Sequence, residues 1–117
     1  MKSQNAQLYK TDGTVEVVIP KGKKFRIEEL WEMVHGGIEI LDLGWKAQRY
    51  MRAEDRMGPT GWVSASLSGG LVRNGWVLVV NENGLNEELP VNEGASQLWG
   101  GQLVGDVLLC KRSMLGL

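Results

Sequence analysis

The chain has 117 residues, with 13 Lys and Arg against 14 Asp and Glu, one histidine and one cysteine. So small a net charge excludes long-range attraction to duplex DNA or an anionic membrane, and the slight acidic excess excludes imitation of a phosphate backbone. A lone Cys110 excludes an internal disulfide, and one cysteine with one histidine excludes a Cys/His zinc set.

The length predicts one domain over residues 1–117, large enough to fold without a staple. The opening Met-Lys-Ser-Gln-Asn-Ala-Gln lacks the apolar core of a signal peptide, and no apolar run approaches a bilayer span. A cytoplasmic location with no membrane partner is therefore expected. Leu8, Lys10 and Thr14 to Ile19 are strand-like runs split by Asp12-Gly13, which predicts an opening hairpin ended by Pro20. Lys21-Gly22-Lys23-Lys24 then forms a basic, solvated loop with charge that an anionic ligand can use.

Ile27, Leu30, Trp31 and Val34 fall at i, i+3, i+4 and i+7, predicting one apolar face of a helix whose other face carries Glu28, Glu29 and Glu32. His35 is placed in the last turn as a capping residue, and Gly36-Gly37 supplies the stop. Ile38 to Leu43 returns as a strand. Gly-Trp occurs at Gly44-Trp45, Gly61-Trp62 and Gly75-Trp76, each before a strand-like run, as in three starts of an antiparallel meander.

Trp76 to Val80 is an apolar run of strand length, and Asn83-Gly84 supplies the residues of a tight hairpin turn, with a return arm from Leu85 to Pro90. Asn92 stands at a helix N-cap ahead of Glu93 to Trp99, a helix closed by Gly100-Gly101. Val104 to Lys111 makes the last strand, with Cys110 packed inside it, and Ser113 to Leu117 a loose tail. Strands in runs with two short helices, and no β-α-β alternation, define the class: a small α+β domain with a mainly antiparallel, twisted sheet.

No catalytic constellation emerges. There is no Gly-x-Ser-x-Gly elbow, no Walker A sequence and no dinucleotide fingerprint, and the glutamates read as surface charge. No catalytic residue, metal ligand or cofactor is assigned. Binding is better supported, because Trp45, Trp62, Trp76 and Trp99 exceed the needs of a small core, and tryptophans beside arginines hold planar anions by stacking and charge. On a strand starting at Trp45, the residues Trp45 and Arg49 share a face. Asn81 and Asn92 each have two readings, turn or N-cap chemistry and a donor-acceptor pair for a purine or amide.

Val34-His35-Gly36-Gly37-Ile38-Glu39, Asn81-Glu82-Asn83-Gly84, Leu89-Pro90-Val91-Asn92 and Val104-Gly105-Asp106-Val107 together resemble, in order, the signature of a phage-associated family of unknown function. The chain departs from that signature at His35 and in a stretch of about 45–75 that resembles an insertion. Gly61-Trp62-Val63-Ser64 is similar to the tryptophan-x-serine element of a signal-binding family, which adds Ser64 to the candidate site. The resemblance implies a viral protein of the bacterial host cytoplasm that counters defence by sequestering a nucleotide signal, such as a cyclic ADP-ribose isomer or a cyclic dinucleotide. In that reading Trp45 or Trp62 stacks on the base, Arg49 pairs with phosphate, Asn81 or Asn92 reads polar edges, and a homo-oligomer encloses the small ligand. The alternatives are a protein-interaction inhibitor of a host defence enzyme, with the tryptophans as exposed anchors, and a hydrolase of the same signal.

Overall fold

A computed structural model describes residues 5–43 and 75–116. The hairpin expected at Asp12-Gly13 forms: β1 (Ala6–Tyr9) and β2 (Val15–Val18) pair antiparallel, Ala6 opposite Val18 and Tyr9 opposite Val15. Its loop is longer than a two-residue turn, because the Gly13 N–H donates to Lys10 O and the Lys10 N–H to Thr14 O. Gly13 takes φ 93, and Asp12 Oδ1 accepts from both the Thr14 N–H and its hydroxyl. Those two bonds hold the Asp12 carboxyl below its ordinary range.

The next element is α1 (Ile27–Val34). Its start is fixed by Glu29, whose carboxylate accepts from the Arg26 N–H at 2.7 Å and the Lys21 N–H at 3.2 Å. This satisfies a donor that the first turn leaves without a helical partner. Its end is His35, which itself adopts the left-handed conformation (φ 65), so the stop falls one residue earlier than the glycine pair. Leu30 and Val34 are buried as the periodicity requires, but Ile27 and Trp31 are exposed, at 40% and 47%.

The Glu29 carboxyl lies below its usual 4.5 because, first, the Arg26 N–H bonds to its charged form. A depressed folded value means that the contribution is fully present above pH 4.5 and fades as pH falls below it. Glu29→Gln keeps an acceptor but does not titrate, so its melting temperature is expected to fall less steeply over the acid range than that of the parent chain. Equal acid slopes in the two proteins would show that this cap is not coupled to folding.

Beyond the helix come β3 (Ile38–Asp42), β4 (Trp76–Asn81), α2 (Glu93–Trp99), β5 (Val107–Lys111) and a 3-10 turn at Arg112–Leu115. The sheet order is β2-β1-β5-β4-β3, antiparallel throughout, so the last strand of the chain is inserted in the middle. This is the α+β class that the sequence defines.

Alternation along each strand sends side chains to opposite faces. Ala6, Leu8, Val77, Val79, Leu108 and Cys110 pack with Phe25, Leu30 and Val34 under α1. Trp76, Leu78, Val80, Val107 and Leu109 pack with Leu43 and Ala95 under α2. All six residues of β4 are buried, as befits a strand covered on both faces. Cys110 is inert packing as expected, and burial pushes its thiol up to about 12.

Three local expectations are corrected. Asn83-Gly84 does not turn a hairpin: residues 82–88 form consecutive turns, with Gly84 N–H to Asn81 O, Glu87 N–H to Asn83 O and Leu89 N–H to Gly84 O, and no return strand follows. Gly84 is required for space instead, since a Cβ there would lie 2.7 Å from Val104 Cγ2. Strand β5 starts at Val107, and Val104 makes only an isolated bridge to Val91. The tail is anchored, because the Phe25 N–H donates to Met114 O at 2.8 Å and Met114 and Leu115 pack against the α1-side core. Gly75-Trp76 does open a strand, with Gly75 at φ 82. The other two Gly-Trp pairs and residues 45–74 of the expected insertion lie outside the described residues.

Candidate functional site

Residues 34–39, 81–84, 89–92 and 104–106, the segments singled out in the sequence, meet in two pairs at one end of the sheet. Asn81, at the end of β4, donates through Nδ2 to Val34 O (3.1 Å) and His35 O (3.2 Å), capping the carbonyls left open at the end of α1. Its Oδ1 accepts from the Asn83 N–H at 2.7 Å. The two glycines of Val34-His35-Gly36-Gly37 make this approach possible: a Cβ on Gly36 would lie 2.8 Å from Asn81 Nδ2, and one on Gly37 2.5 Å from Glu82 Oε2.

The second pair joins Leu89-Pro90-Val91-Asn92 to Val104-Gly105-Asp106. The Gly105 N–H donates to Pro90 O, the Asn92 N–H donates to Leu103 O, and a Cβ on Gly105 would lie 2.8 Å from Leu89 Cδ1. Asn92 is 0% exposed. Its Oδ1 accepts from the Ala95 N–H (3.0 Å) while Nδ2 donates to Tyr9 O and Gly105 O, both at 2.8 Å. One amide thus caps α2 and ties it to the end of β1 and the approach to β5. Asp106 adds a third tie, accepting from the Thr11 N–H through Oδ1 and lying 3.1 Å from His35 Nε2 through Oδ2. Of the two readings of Asn81 and Asn92, the turn and N-cap chemistry is the one realised. Their polar atoms are engaged with the backbone.

Trp45, Arg49, Trp62 and Ser64, the other residues of the predicted site, lie outside the described residues. Trp76 is buried on the α2 face, with Lys111 Nζ 6.0 Å from its ring centroid. Trp99 is half-buried against that same core.

Described residues line concavities at two places in the domain. One, of about 340 Å³, adjoins Asn81 and is walled by Glu39, Glu82, Asn83, Asn86, Trp99 and Gln102. Among the described residues its lining contains no Lys or Arg, so these residues supply phosphate with no counter-charge. The other, of about 650 Å³, lies along the outer side of α1 and is lined by Lys21, Gly22 and Arg26 together with Glu28, Glu29, Trp31 and Glu32. It joins an accessible indole, two cations and the exposed residues Glu28 and Glu32, whereas the Glu29 carboxylate is engaged in the helix cap.

That grouping sets a tryptophan beside an arginine at residues other than Trp45 and Arg49, the pair expected from the sequence, which lie outside the described residues. Periodicity assigns Trp31 to the core, and nothing in the local pattern separates it from Leu30. The available signal is width: an eight-residue helix over a sheet already filled by Phe25, Leu30 and Val34 has no need of a fourth large apolar residue. Among the described residues, no group of three or more His, Cys, Asp or Glu side chains is placed to hold a metal, and no helix is long and apolar enough to cross a membrane.

Sheet, caps and groove define a small α+β domain in which buried Asn81 ties the end of α1, the helix with the mixed-charge outer groove, to β4, and buried Asn92 ties α2 to β1 and the approach to β5. No protein-family model, curated protein or solved structure matches the chain.

Proposed function

We propose that the protein is a non-catalytic, phage-type binder that sequesters a nucleotide-derived signal of the ADP-ribose kind in the host cytoplasm, with the groove on α1 as its site. The observation that carries this reading is Trp31, 47% exposed in a concavity that also presents Lys21 and Arg26. An indole face takes a purine by stacking, Lys21 and Arg26 take the pyrophosphate, and the Glu28 and Glu32 carboxylates accept from ribose hydroxyls or the exocyclic amine. A volume of about 650 Å³ suits a ligand of that size. The same carboxylates disfavour bare polyphosphate, which makes the mixed lining selective for nucleotides over inorganic anions. Resemblance to the phage-associated family supports the anti-defence role, and Arg49 remains a candidate second phosphate contact.

Calorimetry with ADP-ribose, cyclic ADP-ribose, cyclic dinucleotides, adenosine and pyrophosphate tests this directly. Heat is expected from the ADP-ribose compounds, weaker heat from adenosine, little from pyrophosphate, and recovery of unchanged ligand after incubation. Arg26→Ala is expected to weaken binding by about 1.5–3 kcal/mol, the range for a hydrogen bond to a charged group. No heat from any nucleotide removes the proposal, and cleaved ligand replaces it with a hydrolase.

A further inference from the structure

Among the described residues β2 is an edge strand, paired only with β1. Edges are usually guarded by lysine, by an outward proline or by a bulge. Here Val15, Val17 and Ile19 are exposed at 48%, 61% and 71%, and the alternation that puts them on the α2 face puts Glu16 and Val18 on the other.

The backbone follows the same alternation. The bond from Lys10 N–H to Thr14 O makes that pair hydrogen-bonded, so Leu8 with Glu16 and Ala6 with Val18 are too. The N–H and C=O groups of Val15 and Val17, and of Ile19 in the same alternation, therefore point away from β1. Pro20 falls on the inward set, so its missing N–H costs the edge nothing.

We propose that β2 pairs antiparallel with β2 of a second copy, joining two five-stranded sheets into one of ten. The register that uses every outward group sets Val17 opposite Val17 and Val15 opposite Ile19, all hydrogen-bonded pairs, and continues one apolar row across the seam. Shifting it to set Val15 opposite Val17 places Glu16 against its own copy, which like charges disfavour. In the favoured register the Asp12 turn of each copy meets the basic loop Lys21-Gly22-Lys23-Lys24 of the other, twice by symmetry. The seam lies at the opposite edge of the sheet from β3, and its formation does not rest on ligand binding.

Sedimentation equilibrium of the full chain is expected to give twice the 13.0 kDa chain mass. Val17→Lys sets two ammonium groups across the two-fold axis and is expected to give the monomer with an unchanged circular dichroism spectrum. Val17→Cys tests the register: a hydrogen-bonded antiparallel pair holds its Cα atoms about 5.5 Å apart, within disulfide reach. Mild oxidation should therefore cross-link Val17→Cys and leave Glu16→Cys largely uncross-linked, with buried Cys110 silent in both. A monomeric parent chain, or equal cross-linking of the two variants, overturns the proposal.

Discussion

Asn92→Ala is expected to cost about 3–5 kcal/mol, more than its loss as a helix cap alone explains. Removing an N-cap side chain costs about 0.5–2 kcal/mol. Here the amide also donates to Tyr9 O and Gly105 O from a fully buried position, and each buried carbonyl left without a donor adds about 1–3 kcal/mol. A loss of that size lowers the melting temperature by roughly 10–20 °C.

Asn92→Asp separates the two contributions. Aspartate caps helices as well as asparagine does, yet it has no hydrogen to give the two carbonyls and sets a carboxylate against them. It is expected to be at least as damaging as the alanine variant in a denaturant titration. If Asn92→Asp instead retains parental stability, the cap is the whole of the residue's role and the ties to β1 and β5 contribute nothing.

Leu108→Ala is the second large effect. Leu108 lies on the central strand, fully buried under α1 with Val34, Val77 and Val79. Truncating a leucine at such a site costs about 2–5 kcal/mol from lost transfer energy and the cavity left behind. Trp31→Ala removes a larger side chain from the apolar face that periodicity assigns to the same helix. Its expected cost is nevertheless under about 1 kcal/mol, because the residue is already 47% exposed. Chemical denaturation of the two variants beside the parent decides whether that face is core along its whole length or only at Leu30 and Val34. Equal losses would put Trp31 in the core and close the groove to any ligand.

What local pattern can specify was legible. The turn at Asp12-Gly13, the β4 run, the helix from Ile27 and the N-cap at Asn92 each depend on residues within a few positions of one another, and each forms. The strand order depends on contacts between residues a hundred positions apart, as when Leu8 faces Leu108, and no local periodicity encodes that. Asn83-Gly84 misleads for a related reason. Its glycine answers a long-range demand, the approach of Val104, rather than the φ of a hairpin turn. The tail reads as loose because the bond that anchors it, from Phe25 N–H to Met114 O, spans nearly the whole described chain.

The candidate site shows the same division. The glycine and asparagine motifs singled out in the sequence form packing pairs, Gly36 against the Asn81 side chain and Gly105 against Leu89, so their spacing reports the architecture of one end of the sheet. Asn81 and Asn92 belong to that architecture. The groove residues Lys21, Arg26 and Trp31 lie within eleven consecutive positions, yet each has an ordinary local explanation as loop charge, helix entry or apolar face. Only the packing of α1 on the sheet shows which part of that face stays open.

Titration of ADP-ribose into the parent chain and into Trp31→Ala, followed by calorimetry with both proteins confirmed folded, puts the stacking role of that indole to the test. Stacking of a base on an aromatic side chain is worth about 1–3 kcal/mol by alanine substitution, so the variant should bind roughly 5- to 150-fold more weakly. Equal affinity in the two proteins, or no binding by the parent, contradicts capture of a nucleotide signal on the outer side of α1.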